Sequence, residues 1–246
     1  MMMKVSNEST AAGFKFSTDA IARAATLSQS VPAFDRQWPV YLRALALFGF
    51  EEWLEHRAPD LPFEGDRCSL FDRGYASFID AACGLQVGDF CVCLVATSNS
   101  DLPVAVPKAA IELPEFAAQF YVSIEVWEEE NWMRVLGGTT RDRLASQIDT
   151  SIAHRDWNYP LAANSFELEP DNLLLEWRCL DANAVPMPVI EPAPSISPQL
   201  RAKLDTTKPQ LQRGSRQPWQ VFSWEEAAVL LQHREAIDRL YRSDGD

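Results

Sequence analysis

A chain of 246 residues that is 47% hydrophobic, 23% charged and 11% aromatic has the composition of a soluble globular protein, with enough apolar side chains for one large core or one core with an appended segment. Thirty-five Asp and Glu against 22 Lys and Arg leave a net charge of −13, which repels phosphate backbones and anionic lipid at long range and disfavours generic nucleic-acid or membrane-surface binding. The longest apolar run, Ala44 to Phe50, is far short of the roughly 20 residues a membrane-crossing helix needs.

The opening MMMKVSNEST lacks the apolar stretch of an export signal, and the five cysteines, an odd number, read as reduced thiols, so a cytoplasmic protein is expected. Residues 1–16 read as a disordered N-terminus and 17–181 as the globular body. Ser17, Thr18 and Asp19 can cap a short helix that runs to residue 29. From Trp38 to Glu55, Val40, Leu42, Leu45, Leu47, Phe48, Phe50, Trp53 and Leu54 surround almost the whole helix circumference, so this helix must be central; Pro39 suits its first turn. Residues 68–84 are ambiguous, with Leu70, Phe71, Tyr75, Phe78 and Ile79 fitting a helix but not uniquely.

Beyond Gly88 the period changes to two. Phe90, Val92 and Leu94 alternate with Cys91, Cys93 and Val95, apolar or thiol-bearing on both faces, which predicts an interior strand. Val104 to Leu113 reads as extended, with Pro107 confining it to an edge, a bulge or a strand end, of which an edge is favoured. Phe120 to Leu136 is the clearest signal: two alternating runs joined by the polar Glu128–Asn131 predict a hairpin that ends at Gly137 and Gly138. Thr139 or Thr140 can cap a helix over 141–148, a loop follows with Tyr159 and Pro160, and 171–181 is a buried element, either helix or strand, for which Pro170-Asp171 favours helix.

Residues 182–218 hold seven of the sixteen prolines and are read as a linker. Charge changes with composition: residues 1–185 carry the whole net charge of −13, and 186–246 are balanced. In the last segment, 219–246, Ser223 and Glu226 have capping-box spacing, and a helix to about Tyr241 presents Trp224, Ala227, Leu230, Leu231, Ile237 and Tyr241 as an apolar stripe that must dock on the body or on a partner.

Candidate chemistry is sparse. Cys91 and Cys93 share one side of a strand but lack the further ligands of a thiolate metal site, and read as buried structural cysteines. His154 and Asp156, beside Arg155, are raw material for acid–base work without a surrounding signature. Glu128, Glu129 and Glu130 read as solvated charge in a turn. Gly137, Gly138, Thr139, Thr140 and Arg141, between a strand and a helix, read as a tight connection, with an anion site on its amides and guanidinium as the alternative; P-loop spacing is absent. Trp219, Phe222, Trp224 and Leu231, beyond the linker, are the candidate interaction anchors. These residues assign no catalytic, metal or cofactor-binding residue.

The runs PVYLRALALFGFEEWLEH, GLQVGDFCVCLVA, QFYVSIEVWEEENWMRVLGG and NYPLAANSFELEPDNLLLEWRCLD, in that order, resemble a domain of unknown function found widely in cyanobacteria, over about residues 20–181. The resemblance implies an uncharacterised cyanobacterial protein with no catalytic residue to transfer, and hints at a place near transcription or signalling genes.

The expected fold is α+β: an antiparallel meander of three or four strands packed against the buried central helix, with additional helices and a C-terminal helix after a Pro-rich linker. The expected function is a non-enzymatic regulatory or adaptor protein that binds another protein. Alternatives are a small-molecule or phosphate-metabolite sensor or enzyme using Gly137–Arg141, and a constitutive subunit of a larger assembly.

Overall fold

A computed structural model describes residues 13–65, 73–79, 83–148, 157–181, 183, 185 and 187–241. In chain order these form β1 (Phe14–Lys15), α1 (Thr18–Gln29), α2 (Phe34–Arg57), β2 (Phe63–Glu64), α3 (Arg73–Phe78), β3 (Cys83–Val87), β4 (Phe90–Thr97), β5 (Val104–Pro107), α4 (Lys108–Glu112), β6 (Phe120–Trp127), β7 (Trp132–Thr140), α5 (Arg141–Gln147), β8 (Asn158–Leu161), α6 (Pro170–Cys179), α7 (Pro198–Gln212), α8 (Pro218–Val221), α9 (Trp224–Leu231) and α10 (Arg234–Tyr241). The fold is α+β as expected.

The main sheet is larger than the expected meander and is mixed. It has six strands in the order β1-β7-β6-β4-β3-β2, in which β4 and β6 run parallel and every other neighbouring pair is antiparallel. The reason lies in the chain between Thr97 and Phe120, which is long enough to make the crossover that a parallel pair requires. That crossover contains β5, which pairs with β8 in a separate two-stranded sheet. The stretch from Val104 to Leu113 is therefore not one extended element: Pro107 ends the strand, and α4 begins at the next residue. Tyr159 and Pro160, read as loop, lie in β8 opposite Val106 and Ala105.

Both faces of the sheet are covered, which is why β4 and β6 carry apolar or thiol-bearing residues on both faces, with Ser123 and Glu125 the buried polar exceptions in β6. On one face Val92, Leu94, Val122 and Ile124 pack against Leu45, Phe48 and Leu54 of α2 and Trp177 of α6. On the other, Cys93, Val95 and Tyr121 meet Val104 and Val106 of β5, Leu161 of β8 and Leu144 of α5. Tyr121 is fully buried, its hydroxyl donating to the Ala110 carbonyl and accepting from the Ala118 amide.

Helix α1 is capped by Ser17, whose Oγ accepts from the Ala20 amide at 3.0 Å. Helix α2 starts at Phe34, earlier than expected, so Pro39 lies inside it and not in its first turn. Helix α6 forms over Pro170–Cys179 as read, and the described part of the ambiguous 68–84 region contains both α3 and the start of β3. The turn from β3 to β4 needs Gly88, at φ +55°.

Residues 198–212 of the Pro-rich stretch form a helix, α7, with Ser197 as its cap and Pro198 in its first turn. Leu200, Leu204 and Leu211 are buried. The helix expected from Ser223 to Tyr241 is two helices broken at Gln232–His233, where the His233 amide closes back on the Leu230 carbonyl and the His233 carbonyl accepts from Ala236. Together α7, α9 and α10 close over Phe78, Phe116 and Trp157 of the body as one apolar cluster. Trp157 takes φ +60°, rare for a bulky residue, with its carbonyl accepting from Lys108 and its ring between Phe78 and Trp224.

Candidate functional site

The residues singled out in the sequence are divided by the fold. Gly137–Thr140 complete β7 and do not form a loop. The Gly138 amide donates to the Leu168 carbonyl and its carbonyl accepts from the Leu168 amide. A Cβ at Gly137 would lie 2.4 Å from the Phe166 carbonyl oxygen, and one at Gly138 would lie 2.7 Å from the Leu173 side chain. These glycines allow the 166–168 backbone and α6 to approach the sheet, which is a packing role and not an anion cradle. Thr139 is buried, Thr140 makes no side-chain capping bond, and the Arg141 guanidinium donates to the Ile111 carbonyl at 3.1 Å. Gly137→Ala is expected to cost about 1–3 kcal/mol, read as a lower urea midpoint with an unchanged slope.

Cys93 is buried and Cys91 half-buried. Burial pushes the Cys93 thiol from its ordinary 9.0 up to about 12. A thiol whose folded pKa is raised favours the fold fully below pH 9 and loses that contribution as pH rises toward 12, because the unfolded chain gives up the proton first. Cys93 should therefore resist alkylation in the native protein while the exposed Cys179 reacts, checked by mass spectrometry after iodoacetamide treatment. Among the described residues no three His, Cys, Asp or Glu side chains converge as a metal site. Glu129 and Glu130 occupy the exposed β6–β7 turn, where Glu130 accepts from the Trp132 indole at 2.6 Å. His154, Arg155 and Asp156 lie outside the described residues.

The tail anchors are largely inward. Phe222 and Leu231 are buried, and Trp224 is half-buried with its indole donating to Glu112, which also accepts from the Tyr159 hydroxyl. Lys108 lies over the Trp224 and Tyr159 rings, at 5.7 Å and 5.3 Å. The tail is bonded to the body at two further points: Tyr75 donates to the Leu231 carbonyl and Tyr241 to the Ser77 carbonyl, each at 2.9 Å. The stripe docks on its own body.

Trp219 differs, because it helps to build a cleft. The first turns of α2 form one wall with Trp38, Leu42 and Arg43; the end of β4 and Pro103 form the floor; Gln217 and Trp219 close the other side. The cleft holds about 540 Å³, inside the range of roughly 300–1,000 Å³ typical of binding pockets. Two contacts set its far wall: the Arg36 guanidinium lies 4.8 Å from the Trp219 ring centre, and the Gln217 amide donates to Asp35. The floor is held by buried Glu125, which accepts from Arg134 and from the Ser100 amide, both at 2.7 Å, and so fixes the loop leading to Pro103. Trp38 is 54% exposed and Phe34, one turn before it, is 84% exposed; Leu102, beside Pro103, is 59% exposed. Two guanidiniums, Arg36 and Arg43, and one carboxylate, Asp35, line the cleft, a locally cationic spot on a chain of net charge −13.

This architecture, body and tail together, coincides with one family model, described as a protein of unknown function (DUF1822), which matches residues 14–244. The chain belongs to the DUF1822 family. The match runs well past residue 181, where the expected resemblance ends, so α7 to α10 and Trp219 are family structure and not an appendage. Searches of curated proteins and of solved structures found no match. Among the described residues of this DUF1822 chain no helix is long and apolar enough to cross a membrane.

The sequence reading missed Trp38, Arg36 and Arg43 as site residues because it placed the start of α2 at Trp38 and assigned its aromatics to the core. Phe34 and Trp38, four residues apart among the polar Asp35, Arg36 and Gln37 at the start of α2, are the available signal.

Proposed function

We propose that the protein is a non-enzymatic adaptor or regulatory protein that recognises another protein through the Trp38–Trp219 cleft. The observation that carries this reading is the exposure of Trp38, 54%, in the lining of a ligand-sized cleft that also holds two guanidiniums, with Phe34, 84% exposed, one helical turn before it. Exposed aromatics with arginine are the residues that anchor protein interfaces. The buried stripe of α9 and α10 is already satisfied, whereas the cleft is open. A role in transcription or signalling, or as a constitutive subunit of an assembly, would use the same surface, in the cytoplasm of a cyanobacterium.

Affinity capture from native extract tests the reading, with the full chain and its Trp38→Ala and Phe34→Ser forms as parallel baits. Both variants should retain nearly the parental melting temperature, since exposed positions shift stability by only about 0.5 kcal/mol or little more. Both should lose the captured protein. Retention of the same protein by both variants at full yield would refute the cleft as the recognition surface.

A further inference from the structure

The chain also carries a segment with the chemistry of an occupant for such a cleft. Residues 187–197 are in neither helix nor strand, include Pro188, Pro192 and Pro194, and are exposed almost throughout. Val189 is 83% exposed and Ile190 62%, two consecutive apolar side chains held in water. The segment is fixed at both ends: the Gln119 amide donates to the Val185 carbonyl, and His233 Nε2 donates to the Pro194 carbonyl at 2.7 Å. Ile196 packs on the tail cluster and Ser197 caps α7. It is a strap pinned across the surface with its apolar residues facing outward. Prolines predispose such a strap to an extended form, so little conformational entropy is lost when it is bound, and grooves walled by aromatic rings are the usual receptors for that conformation.

We infer that the Trp38–Trp219 cleft receives the Pro-rich strap, residues 187–194, of a second copy of this chain. The inference rests on the recognition role given to the cleft above. Three observations favour it. The cleft lining offers the indoles of Trp38 and Trp219 and Pro103 to prolines and branched aliphatics, with the Ser98 hydroxyl beside them for a peptide backbone. The half-buried Arg43 of the lining is opposite in charge to the exposed Glu191, the strap's only charged residue, in a protein otherwise dominated by negative charge. The strap does not fill its own cleft: Val189 and Ile190 are exposed, and α7, fifteen residues or about 22 Å long, stands between the pinned end of the strap and Gln217. Cleft and strap are different surfaces, so the contact is head-to-tail and continues into a ring or an open chain.

Sedimentation equilibrium of the full chain over a rising concentration series tests this, with two variants: Trp38→Ala, which spoils the cleft, and Val189→Asp with Ile190→Asp, which spoils the strap at exposed positions that the fold does not use. The parent should rise in average mass from 27.7 kDa to twice that value and beyond, and each variant alone should stay at 27.7 kDa. Mixed in equal amounts, the two variants should form a one-to-one pair that grows no further, since the mixture has one good cleft and one good strap per pair. A synthetic peptide of residues 187–197 should break the parent assemblies and shift tryptophan emission in the strap variant but not in Trp38→Ala. A parent that stays at 27.7 kDa throughout, with a silent peptide, would overturn the inference. If Trp38→Ala still abolished capture of a different protein, the recognition role would stand without the strap; if capture were indifferent to Trp38 as well, both would fall.

Discussion

A chain ended at Asp181 is expected to lose its cooperative thermal transition and to bind hydrophobic dyes at room temperature. The cut removes α7, α9 and α10, and with them Leu200, Leu204, Leu211, Leu230, Leu231 and Ile237. Phe78, Phe116 and Trp157, now 0%, 7% and 6% exposed, would face water. At roughly 1.5–3 kcal/mol for each buried side chain, the loss on the body alone is about 5–9 kcal/mol, comparable with the whole stability of a typical domain, about 5–15 kcal/mol. The hydrogen bonds from Tyr75 to Leu231 and from Tyr241 to Ser77 disappear with it. A single substitution in the same cluster, Leu231→Ala, should lower the one transition of the full chain by about 2–5 kcal/mol and should not release the tail alone. Circular dichroism melts of the two chains decide the matter; a cooperative transition at the parental temperature in the shortened chain would show that the tail is merely attached.

Trp53→Ala is expected to cost about 3–5 kcal/mol, measured from urea unfolding. Trp53 is 7% exposed and stacks on Phe50 with ring centres 5.2 Å apart. Phe50 meets Trp177 edge-on, Trp177 meets Phe120, and Phe120 meets Phe90, at 6.4, 5.9 and 5.2 Å, so one chain of rings links α2, α6, β6 and β4. The void would open where helix, helix and sheet converge, and none of the three can close it alone. Trp38→Ala on the same helix is the matching control: the same deletion at a rim position should leave the unfolding midpoint nearly unchanged. Equal losses at the two positions would contradict the separation of core face and cleft face on α2.

The parts of the fold legible in the sequence are those governed by short periods. Helix α2 announces itself by apolar residues on nearly every side, β4 by alternation with both faces apolar, and the β6–β7 hairpin by two alternating runs around a polar turn. What could not be read depends on distant neighbours. The parallel pairing of β4 with β6 is set by where a crossover returns, and β8 is a strand only because β5 lies beside it. Helix α7 is hidden by the proline count around it, although Ser197-Pro198 and the spacing of Leu200, Leu204 and Leu211 are helix signals of the ordinary kind. Gly137 and Gly138 read in sequence as a tight connection with an anion site as the alternative, and only the nearness of Phe166 and Leu173 shows what they allow to approach. The cleft is the extreme case, for Trp38 and Trp219 are 181 positions apart and meet only because the tail folds back onto the start of α2.

The most direct measurement places a photo-reactive phenylalanine at Phe34, 84% exposed one helical turn before Trp38 of the cleft, and a second, separately, at Leu175 on α6, 57% exposed and outside the cleft lining. Irradiated in native extract, the full chain should form a discrete protein adduct from position 34 and none from position 175, and Trp38→Ala should remove the adduct. Equal labelling from both positions, or an adduct that survives Trp38→Ala, would contradict recognition through the cleft.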